Sequence, residues 1–396
     1  MNPATRFKSP KPGDGMCIFL FIRRPLLSHF FRFHSLLSMR VAFITRSTLY
    51  NVPGGDTVQI LQTAKCLGDY GIDADICLTN DKIDYKQYSL LHFTNITRPS
   101  DILFHIEQTK KPFVVSPFLI DYSEYDKHHR KGLSGVILRQ FSANANEYAK
   151  TFGRWLYGKD VMRSKSYLWK GQRKSIREIL KKAAMILPHA EAENKKLREV
   201  FEIEQDYAVI HFGVDASMFF PDEKTPKDDK LVLCAARIEG IKNQLNLIKA
   251  LNNTAYTLLL IGSPAPNQRN YYEKCRKIAA KNIVFHDRIS QQELIHYYRK
   301  AKVHALPSWF ETCGLSSLEA AAMGCNVAIT EKGYTREYFG NDAFYCDPRS
   351  PASIFGEIEK AANTNCQTAL QQKILQKYTW QEAAKITSQV YKKIIS

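Results

Sequence analysis

Short apolar runs recur along the chain from residue 39 onwards, and longer segments of mixed polarity separate them. Examples of these runs are VAFI at residues 41–44, IDADICL at 72–78, KPFVVSPF at 111–118 and YTLLLIG at 256–262. Runs of four to eight apolar or alternating residues are typical of buried strands. Since the intervening segments have helical spacing, the chain predicts an α/β fold with parallel, doubly wound sheets.

The stretch from residue 303 to 348 shows this pattern most clearly. VHALP and NVAIT read as two buried strands, and SLEAAAM between them has the composition of a short helix. Gly314 lies in the loop before this helix, and Gly324 closes it. A loop that enters a helix after a strand binds anions, because its backbone N–H groups lack protein acceptors. Glu311 and Glu319 flank this entry.

Two simple interpretations of these glutamates compete with a functional one. The pattern Ser316-x-x-Glu319 fits a capping box, in which the Glu319 carboxylate returns to the backbone of Ser316. Glu311 fits a solvated charge in a loop. The complete string favours a binding site, because it combines ProSer, an aromatic residue, two glutamates, two glycines and a following strand.

The segment PSWFETCGLSSLEAAAMG resembles the donor-site motif of the family 4 retaining glycosyltransferases, whose two glutamates have E-x7-E spacing. The resemblance implies the GT-B fold, in which two Rossmann-like domains face a central cleft. It also implies transfer of a sugar from a nucleotide-diphosphate donor to a glycan or lipid-linked acceptor. By resemblance, Glu311 contacts the sugar hydroxyls and Glu319 the ribose, with Gly314, Leu315 and Ser316 beside the donor.

A second candidate donor element is the cation pair Arg237 and Lys242, which follows the apolar run LVLCA with R-x4-K spacing. Two cations at this spacing are common on surfaces. In a loop after a strand they can bind one pyrophosphate, with arginine as a bidentate donor and lysine as a point charge. The resemblance assigns them to the donor diphosphate, so Arg237, Lys242 and Glu311 are the candidate catalytic residues. His286 and Ile289 are candidate contacts of the base.

The predicted amino-terminal wall of the cleft departs from the family pattern. Gly54 and Gly55 follow a strand but lack the G-x-G-x-x-G fingerprint, and alone they would indicate a turn. By resemblance they form the glycine loop that faces the donor phosphate. Many relatives carry a histidine after the fourth strand, where this chain reads SPFLIDYSEYDKHHR. We expect Asp121 or Tyr122 to contact the sugar or the acceptor there.

The charge of the chain indicates the chemical class of its partners. The net charge of +17 predicts anionic partners, which are phosphorylated donors, an anionic membrane surface or nucleic acid. Residues 127–182 contain fifteen Lys or Arg against three acidic residues, with aromatic residues between them. This region is either a solvated face or a surface that meets lipid headgroups or a lipid-pyrophosphate acceptor. No nucleic-acid-binding signature accompanies it, so we predict no nucleic-acid partner.

The cysteine and hydropathy patterns limit which cofactors and which cellular location the sequence predicts. The nine cysteines are scattered singly with no C-x2-C pair, and no His, Cys and Asp cluster has metal-ligand spacing. We therefore predict no cofactor and metal-independent catalysis. Unpaired cysteines and the lack of a membrane-spanning run predict a cytoplasmic protein that can lie on the inner face of a membrane.

Length and composition predict two domains with an extension and a final helix. We place the amino-terminal, acceptor-side domain at residues 39–205 and the nucleotide-sugar domain at 206–375. Residues 376–396 form a helix that, by resemblance, crosses back to the first domain. For residues 1–38 three interpretations compete: a start codon assigned too early, which we favour, a basic and aromatic membrane-surface arm, or a disordered tail.

Two other function classes remain open from the sequence. A GT-B-type sugar-nucleotide epimerase or hydrolase would use the same donor site without an acceptor. A non-catalytic basic binding protein would carry the donor motif as a vestige. The sequence names neither the sugar, the base nor the acceptor.

Overall fold

The computed structural model describes residues 39–120, 125, 163–221 and 225–396. The candidate residues Asp121 and Tyr122, and the larger part of the basic region, lie outside the described residues. The described chain forms two parallel β-sheets with helices packed on them, which confirms the predicted α/β class with doubly wound sheets. No helix in these ranges has the length and apolar character that crossing a membrane requires.

The amino-terminal sheet has five parallel strands in the order β2-β1-β3-β4-β5. The central strands are buried on both faces, as their continuous apolar runs predict. The strands are β1 (Met39–Thr45), β2 (Ile72–Leu78), β3 (Leu90–Thr94), β4 (Phe113–Ser116) and β5 (Met185–Ile186).

The carboxyl-terminal sheet has six parallel strands in the order β11-β10-β9-β6-β7-β8. Its strand order reverses at the pair β6 and β9, the position at which α/β sheets bind ligands. The strands are β6 (Asp228–Ala235), β7 (Thr257–Ile261), β8 (Ile283–His286), β9 (Ala301–Leu306), β10 (Asn326–Thr330) and β11 (Phe344–Cys346).

Twelve α-helices connect these strands within the described ranges. Three 3-10 turns accompany them at Gly68–Tyr70, Tyr85–Gln87 and Gly240–Lys242. The helices are α1 (Gly55–Leu67), α2 (Pro99–Ile106), α3 (Lys165–Lys182), α4 (Glu191–Phe201), α5 (Gln244–Leu251), α6 (Arg269–Ile278), α7 (Gln291–Lys300), α8 (Leu315–Ala322), α9 (Thr335–Phe339), α10 (Pro351–Asn363), α11 (Thr368–Lys377) and α12 (Trp380–Ile395).

The spacing of apolar residues predicts an inward face with Val58, Leu61 and Leu67 on α1 and one with Trp380, Ala384 and Val390 on α12. In α12, Trp380, Ala384 and Val390 are buried, as predicted. In α1, Leu67 is buried, whereas Leu61 is 38% exposed. The prediction for Leu61 was wrong because Ile60, one position earlier, takes the buried face of that turn.

The chain passes between the two sheets twice, and the two passages touch. Residues 206–210 extend the edge of β5, because the amides of Ala208 and Ile210 donate to Ile186 and Pro188. A few residues later, Val214 forms a parallel bridge with Thr379. From there α12 packs on α1, and the Tyr391 hydroxyl lies 2.6 Å from His92 Nδ1 on β3. The final helix is therefore part of the amino-terminal domain's packing.

Gly213 permits the two passages to come this close. A Cβ atom at this position would collide with the backbone of Thr379 and Trp380. Since both neighbours are main chain, no side-chain rotation relieves the collision. Gly213 is thus required by space, not by an unusual backbone angle.

We expect Gly213→Ala to lower the free energy of unfolding by about 1–3 kcal/mol, because the two passages must move apart. Urea titration measures this change. Gly356→Ala is the matched control: it lies in α10 with no atom within 4 Å of the added Cβ. The control should gain about 0.5–1 kcal/mol from better helix propensity. Equal stability of the two variants would contradict the crossing described above.

Candidate functional site

The carboxyl edge of the second sheet presents the loop between β9 and α8. Helix α8 begins at Leu315, and Gly314 before it has φ 71°, a left-handed conformation that favours glycine. The first N–H groups of a helix have no acceptor within the helix and carry its positive dipole end. The backbone from Gly314 to Ser316 therefore offers a cradle for an anion, as predicted from the sequence.

The capping-box interpretation of Glu319 is wrong. Because the helix begins at Leu315, Ser316 is already its second residue and Gly314 is the N-cap. The Glu319 carboxylate instead accepts a hydrogen bond from the Tyr298 hydroxyl of α7, at 3.0 Å. Burial raises the pKa of Glu319 to about 7, against the lowering effect of the Tyr298 bond. Glu319 is half-buried, and only its Oε2 is bonded, so its Oε1 is available to a ligand.

Glu311 is buried, so its interpretation as a solvated loop charge is also wrong. Its Oε1 lies 2.5 Å from Lys242 Nζ and accepts a 2.6 Å hydrogen bond from Ser308. Burial opposes the charged form of Lys242, but the nearby Glu311 carboxylate outweighs this effect and raises the lysine pKa. The pair therefore joins the loop after β6 to the loop after β9.

Arg237 lies in the same loop as Lys242 but on its more exposed side. Its guanidinium is 3.1 Å from the Glu239 carboxylate, and 44% of its side chain is exposed. Its charge is close enough to lower the pKa of Lys242. The structure thus brings Lys242 to Glu311, while Arg237 stands beside this pair and bonds a different carboxylate.

The glycine pair of the amino-terminal domain faces this same edge. Gly54 is the N-cap of α1 and Gly55 its first residue. A Cβ atom on Gly55 would lie 3.3 Å from Leu315 Cδ1, at the first residue of α8. The N-terminal ends of the two helices, one from each domain, therefore meet across the cleft.

The remaining candidates are farther along the edge or outside the described residues. His286 ends β8 and is exposed, with its Nδ1 3.0 Å from the Asp287 carbonyl. Ile289 is partly buried against the core. His286 is the last residue of β8 and Ile289 follows three residues later, at a strand two positions from β6 in the sheet. Asp121 and Tyr122 follow Ile120, the last described residue of its segment.

Three residues of the site were missed by reasoning from sequence. Ser308 bonds Glu311, and Tyr298 bonds Glu319. Arg46 bonds the Asp56 carboxylate at 2.7 Å and the Val52 carbonyl at 2.9 Å, and these two bonds shape the loop before Gly54. Arg46 directly follows β1, so its position at a strand end was a usable signal. Tyr298 had none, because its partner is 21 residues away on another element.

In the parts of the chain that the structure describes, no group of three or more His, Cys, Asp or Glu side chains could hold a metal ion. The eight cysteines recorded there are free thiols.

The sequence of the chain is similar to those of known glycosyltransferases. Residues 216–378 match the family model of the Glycosyl transferases group 1. The chain is 22% identical over 253 residues to a D-inositol 3-phosphate glycosyltransferase of Nocardioides sp., covering 54% of this chain and 55% of that protein. It is 27% identical over 201 residues to a glycogen synthase of Mycobacterium tuberculosis, covering 47% and 48%. The chain thus spans about half the length of the curated relatives it matches.

Solved structures extend the similarity to the whole described fold. A sucrose-phosphate synthase from Thermosynechococcus elongatus superposes with a TM-score of 0.67 at 16% identity, covering 90% of this chain and 98% of that one. HepE of Anabaena in complex with UDP-glucose gives a TM-score of 0.59 at 14% identity, covering 90% and 98%. These structures show that the fold is the GT-B arrangement of two Rossmann-like domains.

We expect Lys242→Met to destabilise the protein by about 3–5 kcal/mol, because it leaves Glu311 buried without its counter-charge. The double variant Lys242→Met/Glu311→Gln removes both charges and should recover most of this loss. Urea unfolding of the single and double variants forms a double-mutant cycle. Additive effects would show that the two side chains do not interact.

Proposed function

We propose that the protein is a family 4, retaining, metal-independent glycosyltransferase of the hexosyltransferase type. It moves a sugar from a nucleotide-diphosphate donor to a glycan or lipid-linked acceptor in the synthesis of cell-surface polysaccharide or another glycoconjugate. The observation that carries this proposal is the buried Lys242–Glu311 pair beside the N-terminus of α8. This pair places a fixed cation, a fixed carboxylate and free backbone N–H groups at one strand edge.

The cationic side of the site stabilises the leaving group. When the glycosyl–phosphate bond breaks, negative charge develops on the departing nucleoside diphosphate. Lys242, Arg237 and the backbone N–H groups from Gly314 to Ser316 face this charge before the reaction begins. Because the pKa of Lys242 is raised, the lysine stays protonated throughout. In this proposal these groups supply the positive charge that a divalent metal supplies in other transferases.

The two glutamates orient the donor. Both hydrogen bonds to the Glu311 carboxylate use Oε1, which leaves Oε2 to accept from a sugar hydroxyl. The Tyr298 hydroxyl uses Oε2 of Glu319, which leaves Oε1 for the ribose. Two carboxylates held by buried partners position a flexible donor at little entropic cost. His286 and Ile289 are the proposed base contacts, at the far end of the same edge.

The opposite wall completes the reaction site. Gly55 approaches Leu315 at the start of α8, and the proposed diphosphate site lies beside this contact and Gly54. Asp121 and Tyr122 are the proposed contacts for the sugar or the acceptor. Closure of the two domains would exclude water and so favour transfer over hydrolysis.

A membrane surface is the proposed partner of the acceptor side. On α3, Trp169 is 90% exposed and Leu168 is 37% exposed, and the neighbouring Lys165 and Lys170 are cationic. An exposed tryptophan flanked by lysines is typical of surfaces that meet anionic lipid headgroups. We propose that the protein works on the cytoplasmic face of a membrane, where a lipid-linked acceptor would be presented.

Donor turnover tests the reaction directly. A thermal-shift panel of nucleoside diphosphates and their sugars, UDP-glucose included, first identifies the donor. With that donor, we expect Glu311→Gln and Lys242→Ala to lower kcat about 100-fold or more, since each removes a group that acts on the transition state. Arg237→Ala should lose less, because its side chain is half exposed. Product analysis by NMR should show the donor's anomeric configuration retained.

The controls for this experiment are Lys249→Ala and Glu331→Gln, which change exposed residues of the same domain. The charge-free double variant Lys242→Met/Glu311→Gln separates stability from catalysis, since it should fold and remain inactive. Normal turnover by folded Glu311→Gln would disprove the assignment. Product formed equally with and without acceptor would instead indicate an epimerase or hydrolase.

Membrane association is tested by co-sedimentation. Wild-type protein should sediment with vesicles that contain about one-third anionic lipid and remain in solution with neutral vesicles. Trp169→Ser together with Lys170→Gln should lower the bound fraction severalfold, because both apolar and electrostatic terms are lost. Tyr207→Ser with Lys195→Gln, on a different surface of the same domain, is the control pair. Equal binding of both pairs would contradict the proposed surface.

A further inference from the structure

The segment after β10 is bonded to the backbone of the donor-site residue Glu311. The Glu311 amide donates to the Lys332 carbonyl at 3.0 Å, and the Tyr334 amide donates to the Glu311 carbonyl at 2.9 Å. Gly333 between them has φ 107°, and a Cβ atom there would collide with the Glu311 carbonyl. The ring of Tyr334 also packs edge-on against Phe310, at 5.4 Å between centroids. Any movement of residues 332–334 therefore moves Glu311.

The next residues of this segment reach the amino-terminal domain. The Tyr334 hydroxyl donates to the Leu119 carbonyl at 3.0 Å, and the Tyr338 hydroxyl donates to the His189 carbonyl at 2.5 Å. Leu119 lies after β4 and His189 after β5, at the carboxyl edge of the first sheet. Two tyrosines of the second domain thus hold two loops of the first.

Glu337 adds a charged contact to the same interface. Its carboxylate accepts hydrogen bonds from the amides of Glu191 and Ala192, at 2.9 and 3.4 Å. These amides open helix α4, whose own N-cap residue Ala190 makes no side-chain cap. A carboxylate is the preferred partner of such a helix end. Helix α4 of one domain is therefore capped by a residue of the other.

Glu193 holds the same two loops from the opposite side. Its buried carboxylate accepts from the amides of Leu119 and His189, each at 2.6 Å. The carbonyls of those two residues are bonded by the tyrosines of the second domain. Each loop is consequently fixed at its N–H within its own domain and at its C=O by the other domain.

We propose that residues 334–338, here called the interdomain latch, couple the position of Glu311 to closure of the two domains. Tyr334 and Glu337 are positioning residues in this proposal: they align the donor carboxylate with the carboxyl edge of the first sheet. Tyr338 is fully buried, and its hydroxyl also accepts from the Phe212 amide beside the crossing. Tyr334 and Glu337, by contrast, bond the first domain through polar contacts at a loop and at a helix end. Water can replace such bonds on opening at small net cost, so the contact is suited to repeated release. The link to catalysis rests on the proposed function.

The structural half of the proposal needs no substrate. We expect Tyr334→Phe and Glu337→Gln to raise the ratio of open to closed protein by about three- to tenfold per lost bond. Small-angle scattering and the transfer efficiency between dyes on the two domains measure this ratio. Tyr345→Phe is the matched control, because its hydroxyl bonds Gly340 within the second domain at 2.8 Å. Glu331→Gln is the second control, since Glu331 pairs with Arg336 in the same segment.

The coupling of the latch to catalysis is tested by comparing kcat with the Kd of the nucleoside diphosphate. Tyr334→Phe and Glu337→Gln should lower kcat about tenfold and change the Kd of the nucleoside diphosphate much less, because Lys242 and the first amides of α8, both in the second domain, supply most of its proposed contacts. Glu337→Ala should lose more activity than Glu337→Gln, which keeps one acceptor oxygen. If Glu337→Ala fails to fold, Tyr334→Phe alone provides the measurement.

The outcomes separate the two proposals. Scattering and dye transfer equal to those of both controls would overturn the latch. A shift toward the open form with unchanged kcat would overturn its coupling to the reaction. If wild-type protein turns over no nucleotide sugar, the proposed function fails, and the structural measurement still decides whether the latch closes the domains.

Discussion

The ion pair between Lys242 and Glu311 is the constraint on which the rest of the site depends. It joins two loops that lie 69 residues apart, after β6 and β9, where the order of the second sheet reverses. Neither charge can be buried alone at acceptable cost. The pair therefore keeps both loops at one distance and leaves α8 with its first amides facing the cleft. Ser308 and Tyr298 complete this arrangement by fixing the oxygens of the two glutamates that they bond.

The relation between the two domains rests on a different kind of contact. At Gly213 the chain crosses its own later passage without space for a side chain, which makes the crossing a fixed point. At the interdomain latch, by contrast, the contacts are hydrogen bonds to backbone groups at the loop ends. A fixed crossing with a releasable polar contact allows the domains to pivot while the donor loops stay intact. This division fits the proposed transferase function, in which the protein closes around a donor and then releases a product.

The fold was largely predictable because buried parallel strands leave a continuous apolar signature. IDADICL and NVAIT match β2 and β10 at both ends. The strand–loop–helix unit that carries the proposed donor motif was predictable because its residues are consecutive in the sequence. The errors concerned which face or partner a side chain takes: Leu61 on α1, and Glu319 with Tyr298 instead of Ser316. Helix α8 begins two residues before the capping box requires, since Gly314 already supplies the left-handed turn.

The sequence by itself determined the order of strands and helices, the glycine positions and the chemical types at the donor edge. These are local properties, which follow from apolar spacing and backbone preference over a few residues. Only the tertiary structure decided that Lys242 is the partner of Glu311 and that Glu337 caps α4, 146 residues away along the chain. The physical reason is that burial and pairing depend on which loop ends a parallel sheet brings together. That choice is made by packing across the whole domain, beyond the reach of any local pattern.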